Sequence, residues 1–173
     1  MEYDVVIVGG GPSGLATAIK LKQLSADVNV CVLEKGAEIG SHILSGNVFE
    51  TRALDELVPN WKDLNAPIKT KVNKEKFLFL GKKSSFSWPT WLLPKVQQNH
   101  KNYIISLANL CRWLAEQAEA LGVEIFPGFP ASEILYKEDG SVKGVITQDM
   151  GLDKEGNKKD GYEPGMELHA KVT

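Results

Sequence analysis

Short apolar runs and one strongly periodic segment define the predicted elements of the chain. Asp4–Val8 and Val28–Leu33 are predicted strands, because their runs of β-branched residues are typical of strands buried on both faces of a parallel sheet. Good helix formers fill the segment 13–24 between them, which predicts a right-handed β-α-β unit. Apolar residues recur every three or four positions in Tyr103–Leu121, which predicts a helix closed by Gly122.

The segments after that helix complete an α/β pattern. Val123–Phe126 predicts a third core strand, and the strand-like segments 134–136 and 142–147 flank a Glu-Asp-Gly-Ser turn signal that is typical of a hairpin. We expect a polar loop at Asp149–Gly165 and a final strand at Leu168–Thr173, which resembles a strand cut in mid-course. This order, with a long irregular insertion before the helix, is that of an α/β nucleotide-binding domain.

Composition narrows the class of protein. The 173 residues carry a net charge of −2, which offers nucleic acid no basic surface. Cys31 and Cys111 are too far apart for a disulfide framework or a metal-ligand spacing, so we expect two buried thiols and no metal site. No apolar run approaches the ~20 residues that span a bilayer, and we expect neither a signal peptide nor a transit peptide before the first strand.

A glycine-rich turn, GGGPSG at residues 9–14, follows the first strand and opens the first helix. In the pattern G-x-G-x-x-G, Gly9 allows the tight turn, Gly11 lets the backbone approach a pyrophosphate, and Gly14 lets helix and strand pack closely. The helix N-terminus adds unpaired N–H groups and the positive end of its dipole. A purely structural turn is the alternative. The nucleotide-site prediction comprises Gly9, Gly11, Pro12, Ser13 and Gly14.

Glu34 ends the second strand, 20 residues after Gly14, and limits which nucleotides the site can bind. A carboxylate there accepts hydrogen bonds from ribose hydroxyls and repels a 2′-phosphate, which disfavours NADP and leaves FAD and NAD. An NAD-type domain would continue with a further β-α unit. In this chain Lys35 is followed instead by an irregular stretch, GAEIGSHILSG. Its small and polar residues suit a backbone that lies close to a flat ring system. We therefore expect FAD, held also by Lys35, with His42, Ser45 and Gly46 near its ring.

The motifs from EKGAEIGSHILSG onward resemble the electron transfer flavoprotein–ubiquinone oxidoreductase family. The resemblance continues through LDELVPNWK, LLPKVQQNHKNYI, WLAEQAEALGVEIFPG, DGSVKGV and GMELHAKVT, and so covers nearly the whole chain but only the N-terminal portion of such proteins. It implies an α/β fold: an FAD-binding Rossmann-like parallel sheet of the glutathione-reductase type, with an inserted β-hairpin and part of a quinone- or membrane-side domain.

The resemblance also implies a division of the chain. Residues 1–58 are expected to form the FAD-binding βαβ unit and the flavin loop. Residues 59–101 are expected to be an insertion that starts the quinone- and membrane-side domain. Residues 102–173 are expected to return to the FAD domain with a helix, a strand and a β-hairpin, truncated at the C-terminus.

The function implied is that of an FAD-dependent oxidoreductase that passes electrons from reduced electron transfer flavoprotein to ubiquinone in the respiratory chain. We expect no catalytic side chain, because the flavin carries the redox chemistry, and we expect the fragment alone to be inactive. The resemblance also implies a [4Fe–4S] cluster in the full-length protein, and the two cysteines of this chain cannot supply its four ligands. Another flavin enzyme of this fold (geranylgeranyl-reductase-like or hydroxylase-like) and a non-catalytic FAD- or ADP-binding module are the alternatives.

Two further cofactor contacts follow from the resemblance. Flavoproteins of this architecture place a basic residue near the FAD phosphates, which is Arg112 in this chain. Related folds touch adenine through backbone groups after the third strand, which points to Ala131.

The stretch 86–94 is dense in aromatic and apolar residues without helical periodicity. It is either domain core or a surface that dips into the bilayer interface, with Lys82, Lys83 and Lys95 at the headgroups. The resemblance favours a monotopic membrane contact, and the lack of a transit peptide favours the bacterial cytoplasmic membrane over the mitochondrial inner membrane. The residues expected on this membrane and quinone side are Phe86, Trp88, Trp91, Leu92 and Leu93.

Overall fold

A computed structural model describes residues 1–44 and 46–173 of the chain. Within it the chain forms two compact units: Met1–Leu44 with Ala108–Thr173, and Ser45–Leu107, in which position 45 is not described. The insertion expected at residues 59–101 lies inside the second unit.

The described residues form thirteen strands, three α-helices and two short 3-10 turns. The strands are β1 (Glu2–Val8), β2 (Val30–Glu34), β3 (Asn47–Phe49), β4 (Thr70–Lys71), β5 (Phe77–Leu80), β6 (Ser85–Trp88), β7 (Tyr103–Ile105), β8 (Glu124–Pro127), β9 (Ala131–Tyr136), β10 (Val142–Thr147), β11 (Met150–Leu152), β12 (Lys158–Glu163) and β13 (Glu167–Val172). The helices are α1 (Pro12–Leu24), α2 (Arg52–Leu57) and α3 (Leu107–Ala120), and the 3-10 turns are Thr90–Leu92 and Lys95–Gln97.

A six-stranded sheet with the order β8-β2-β1-β13-β10-β9 organises the first unit. The first four strands are parallel, with β2 and β13 on either side of β1 and β8 beside β2. This is the strand order of Rossmann-type domains. The β9–β10 hairpin extends the sheet with antiparallel pairing. The predicted α/β fold with a parallel sheet and a β-hairpin is confirmed.

The core of this unit lies around β2, as its uninterrupted apolar run predicts. The segment Val30–Leu33 is at most 2% exposed, because both faces of the strand are covered. Leu15 and Ile19 of α1 are buried to the same degree. Cys31 and Cys111 are free and buried, as expected. Burial raises the pKa of the Cys31 thiol to about 12 and that of Cys111 to about 11, so thiolate is scarce at neutral pH.

The predicted start of the long helix at Tyr103 is wrong. Tyr103–Ile105 form β7, which pairs antiparallel with β3 and with β4, and α3 begins only at Leu107. Ile104 and Ile105 are β-branched and suit a strand, so tertiary pairing overrides the helical periodicity here.

The loop predicted at Asp149–Gly165 is also wrong, because this segment contains the β11–β12 hairpin. Its turn is built on Asp153, whose carboxylate accepts hydrogen bonds from the backbone N–H groups of Glu155 and Asn157. Asp149 closes the open end of the hairpin by accepting from the Tyr162 hydroxyl at 2.9 Å. Local side-chain to backbone hydrogen bonds thus give order to a polar sequence that carries no apolar period.

The second unit is built around two small antiparallel sheets, β3-β7-β4 and β5-β6. Trp61 is 4% exposed, donates from its indole nitrogen to Asp55 at 2.7 Å, and meets Tyr103 edge to face. These contacts give the unit a small core of its own. No helix in the described part of the chain is long and apolar enough to cross a bilayer.

Candidate nucleotide-binding site

The turn between β1 and α1 has the geometry that its glycines predict. Gly9 adopts a φ of +111°, a conformation that favours glycine, and its N–H donates to the Leu33 carbonyl at 2.7 Å. Gly11 is the N-cap residue of α1, and Pro12 occupies the first helical position. Pro12 has no N–H, and the N–H groups of Ser13 and Gly14 precede the first intrahelical bond, which Leu15 donates to the Gly11 carbonyl at 3.0 Å. They lie at the carboxyl edge of the sheet, where an anion would be stabilised.

Gly11 and Gly14 differ in what a side chain would meet. A Cβ on Gly14 would lie 2.1 Å from the Gly9 carbonyl oxygen, so helix and strand pack here only because residue 14 is glycine. A Cβ on Gly11 would have no heavy atom within 4 Å. The protein itself therefore gives no packing reason for glycine at position 11, and open space lies beside its backbone.

Glu34 is held by backbone N–H groups on both sides. Its Oε2 accepts from the Gly10 N–H at 2.8 Å, and its Oε1 accepts from the Gly36 N–H at 2.7 Å. Such charge-assisted bonds fix the carboxylate in one orientation at the end of β2. Each oxygen keeps a further acceptor position, so the group can still bind hydroxyl donors.

Gly10 and Gly36 are site residues that the motif reasoning missed. A Cβ on Gly10 would lie 2.3 Å from Cδ1 of Ile39, and a Cβ on Gly36 would lie 2.4 Å from Oγ of Ser41. Glycine at both positions lets the two backbone N–H groups approach Glu34. The available signals were the middle glycine of the triplet at residues 9–11 and the glycine two positions after the glutamate.

The loop after β2 carries several of the predicted cofactor contacts. Gly40 has a φ of +84°, and a Cβ there would lie 2.8 Å from the Ala108 carbonyl oxygen, so this loop lies directly against the first turn of α3. Lys35 and His42 are exposed on it. Gly46, with a φ of +86°, belongs to the second unit, and Ser45 lies outside the described residues. The roles of these residues stay predictions.

Arg112 is exposed on α3 and pairs with a carboxylate that the sequence did not reveal. Its guanidinium lies 3.9 Å from Glu38 on the loop after β2, and it donates to Oδ1 of Asn109 at 3.0 Å. Burial is the main cause of the raised pKa of the Cys111 thiol, and the charges of Arg112 and Glu34 shift this pKa downward and upward respectively.

Ala131 begins β9, close in sequence to two backbone contacts with the site. The Phe129 N–H donates to the Glu34 carbonyl at 3.0 Å, and the Gly128 N–H donates to the Gly36 carbonyl at 2.7 Å. The chain after β8 is thereby held beside the end of β2. Ala131 follows β8, the third predicted core strand, and its contact with adenine stays a prediction.

The described residues include no group of three or more histidine, cysteine, aspartate or glutamate side chains that could hold a metal ion.

The hairpin formed by β5, β6 and their turn, residues 77–88, is termed the aromatic hairpin. Its register pairs Phe77 with Trp88 and Phe79 with Phe86, which places four aromatic rings on one face. All four are between 38% and 60% exposed. Trp91, which follows the hairpin, is 76% exposed.

The residues predicted on the membrane and quinone side are thus mostly at the surface of the second unit. Leu92 is 51% exposed, and Leu93 is partly buried. The second unit on its own does not use Phe86, Trp88, Trp91 and Leu92 as core. An exposed apolar face of this kind indicates a surface that another part of the protein or another partner contacts.

The chain is similar to a known protein family and to several solved structures. Residues 7–66 match the family model of the NAD(P)-binding Rossmann-like domain. A solved geranylgeranyl bacteriochlorophyll reductase-like protein from Thermoplasma acidophilum covers 99% of the chain with a TM-score of 0.64 at 23% identity, over 38% of its own length. A flavin-dependent brominase covers 99% of the chain with a TM-score of 0.64 at 17% identity, over 37% of its own length. At these identities the likeness shows the fold.

Curated relatives are more similar in sequence to this chain than these solved structures are. The electron transfer flavoprotein-ubiquinone oxidoreductase of Pseudomonas aeruginosa is 56% identical over all of the chain, which spans 32% of that protein. The mitochondrial protein of the same name from Dictyostelium discoideum is 53% identical over 99% of the chain, which spans 28% of that protein. Over its whole length the chain is therefore homologous to the N-terminal part of the electron transfer flavoprotein-ubiquinone oxidoreductase family.

Proposed function

We propose that this chain is the FAD-binding part of an oxidoreductase that passes electrons from reduced electron transfer flavoprotein to ubiquinone. The observation that carries the proposal is the identity of 51% to 56% over essentially the whole chain with relatives that bear this name. The Rossmann-type sheet and the glycine turn supply a physical basis for the cofactor. The chain spans about a third of those relatives or less, so the activity belongs to the whole protein.

The residues of the first unit fit an FAD. The N–H groups at the start of α1, together with the open space beside Gly11, suit the pyrophosphate. The carboxylate of Glu34, fixed by two backbone N–H groups, suits the adenosine ribose hydroxyls and disfavours a phosphate in their place. FAD-dependent and flavin-dependent proteins share the fold, which supports the same choice.

Further cofactor contacts are proposed on α3, at the start of β9 and along the segment after β2. Arg112 is exposed and reaches toward the loop after β2, so it can turn from Glu38 to a phosphate. Ala131 offers backbone groups beside the end of β2, and Lys35 is exposed next to the ribose-binding glutamate. His42, Ser45 and Gly46 are proposed to line the flavin ring.

Bound FAD would supply the electron-accepting and electron-donating chemistry. The task of this chain is then to bind and orient the cofactor. Glu34 would hold the ribose and the α1 N-terminus would hold the pyrophosphate of the ADP half, and the small residues of the loop after β2 would allow close approach to the ring. No proton transfer by a side chain is required of the chain.

A [4Fe–4S] cluster is proposed for the rest of the protein. Cys31 and Cys111 are buried singly in the core of the first unit, which does not suit cluster ligation. Electron transfer flavoprotein and ubiquinone are the proposed partners, and the proposed location is a membrane surface reached through the aromatic hairpin. Relatives of the same name occur in bacteria and in mitochondria.

The test of the proposed function is an electron-transfer assay on the whole protein. Reduced electron transfer flavoprotein should be reoxidised when a ubiquinone analogue is present, at a rate that depends on the amount of whole protein added. Flavin without this turnover would favour another flavin enzyme of the same fold. Absence of flavin together with absence of turnover would contradict the proposal.

Replacing Glu34 with alanine should weaken FAD binding. Loss of one buried charge-assisted interaction costs about 1–3 kcal/mol, which corresponds to an increase of roughly fivefold to 150-fold in the dissociation constant. FAD titration of the apoprotein, followed by fluorescence, measures the effect. Glu138→Ala removes an exposed turn carboxylate and serves as the control. Equal affinity in Glu34→Ala and the control would show that the carboxylate does not contact the ribose.

A further inference from the structure

The aromatic hairpin is set in a segment of one-sided charge. Residues 76–107 contain five lysines and no acidic residue, although the whole chain carries a net charge of −2. Within the described residues, none of these lysines forms an ion pair with a carboxylate. The segment is therefore a local concentration of unpaired positive charge on an otherwise slightly acidic protein.

The lysines surround the exposed aromatic residues closely. Lys82 and Lys83 form the tip of the aromatic hairpin, inside the turn closed by the Gly81 N–H donating to the Ser84 carbonyl at 2.8 Å. Lys76 directly precedes β5, and Lys95 follows the 3-10 turn that carries Trp91. Apolar rings and ammonium groups therefore alternate along one exposed part of the second unit.

A groove of about 460 Å³ brings the same two features together in space. Lys74, Lys76 and Trp91 all line it, together with His100. Glu75 also lines it, but its Oε2 is occupied by the Asn99 N–H at 2.9 Å. Cationic groups next to an exposed tryptophan match the level of the bilayer where headgroup phosphates meet the first acyl carbons.

We propose that the aromatic hairpin docks on a bilayer surface selectively for anionic phospholipid, with Lys82 and Lys83 at the headgroups. The inference rests on the proposed membrane association and adds the chemistry of the lipid. The charge distribution favours this surface over a second protein. A protein that covered the aromatic face would also bury unpaired lysines, at a cost in desolvation. An anionic lipid surface instead neutralises the charge of each lysine. A two-stranded ribbon exposed on its aromatic face also gains stability from such a covering.

The test uses the whole protein, free of detergent, and vesicle co-sedimentation. Vesicles of phosphatidylcholine alone are compared with vesicles that also contain phosphatidylglycerol. We expect at least tenfold tighter binding to the anionic vesicles, reduced by high salt. Lys82→Gln with Lys83→Gln should weaken binding to anionic vesicles by about tenfold to thirtyfold and leave binding to neutral vesicles unchanged. Lys82→Arg with Lys83→Arg should retain the anionic preference.

Lys154→Gln with Lys159→Gln is the matched control, because it removes two exposed lysines from the first unit without touching the aromatic hairpin. Equal binding of the native protein to both kinds of vesicle would overturn the lipid selectivity, and so would unchanged binding of the Lys82 and Lys83 glutamine variant. Absence of binding to any vesicle would overturn the docking itself. The electron-transfer assay reports separately on the proposed function, since activity with a soluble quinone analogue does not depend on lipid charge.

Discussion

Replacing Gly11 with valine is expected to yield a folded protein that purifies without flavin. Gly11 has a φ of −82° and a ψ of −179°, a conformation that β-branched residues adopt readily. A Cβ at this position would meet no heavy atom of the protein within 4 Å. The only expected conflict is with the pyrophosphate of the proposed FAD, which the backbone would approach closely here. We expect affinity for FAD to fall by at least ~100-fold, or about 3 kcal/mol.

Gly14→Ala is the informative comparison for this variant. A Cβ on Gly14 would lie 2.1 Å from the Gly9 carbonyl oxygen, so even alanine should disturb the packing of α1 against β1 and lower the melting temperature of the apoprotein. Flavin content and apoprotein melting measured together separate the two glycines: Gly11→Val should lose flavin at normal stability, whereas Gly14→Ala should lose stability. A full complement of flavin in Gly11→Val would show that the turn does not bind the pyrophosphate.

Changing Trp91 and Leu92 together to serine is expected to weaken membrane binding strongly while leaving the fold intact. Trp91 is 76% exposed and Leu92 is 51% exposed, so neither fills a cavity in the second unit. If both side chains enter the bilayer interface, each contributes up to about 1.5–3 kcal/mol, and binding to vesicles should fall by roughly 100-fold or more. Vesicle binding, flavin content and thermal unfolding of the whole protein are the measurements.

A core role for these residues predicts a different result. Truncating two large buried side chains creates cavities and costs several kcal/mol of stability. Ile134→Ser with Tyr136→Ser is a suitable control, because both are exposed apolar residues of the first unit, at 53% and 61%. A large loss of stability with unchanged vesicle binding in the Trp91 and Leu92 variant would contradict membrane contact.

The features that depend on local sequence could be predicted. Val30–Leu33 is apolar without interruption because it is covered on both faces, and this gave the central strand. The glycine turn and Glu34 have a fixed spacing that follows from the geometry of a β-α-β unit. Burial of Cys31 and Cys111 was expected from their spacing, which suits neither a disulfide nor a metal site.

The features that depend on tertiary contacts could not be predicted from the sequence. β7 lies in a segment whose apolar spacing continues that of α3, and only its pairing with β3 and β4 makes it a strand. The backbone donors to Glu34 are Gly10 and Gly36, which carry no side-chain chemistry that a motif could record. The pair between Arg112 and Glu38 joins positions far apart in sequence, so nothing local indicates it.

Binding of FAD in an electron transfer flavoprotein–ubiquinone oxidoreductase is tested most directly by the absorbance spectrum of the whole purified protein. We expect flavin bands, superimposed on a broad iron–sulfur shoulder, that bleach when reduced electron transfer flavoprotein is added and return when ubiquinone follows. Denaturation should release FAD in a ratio of one per chain. A protein that folds normally but shows no flavin absorbance, before or after incubation with FAD, would contradict the proposed function.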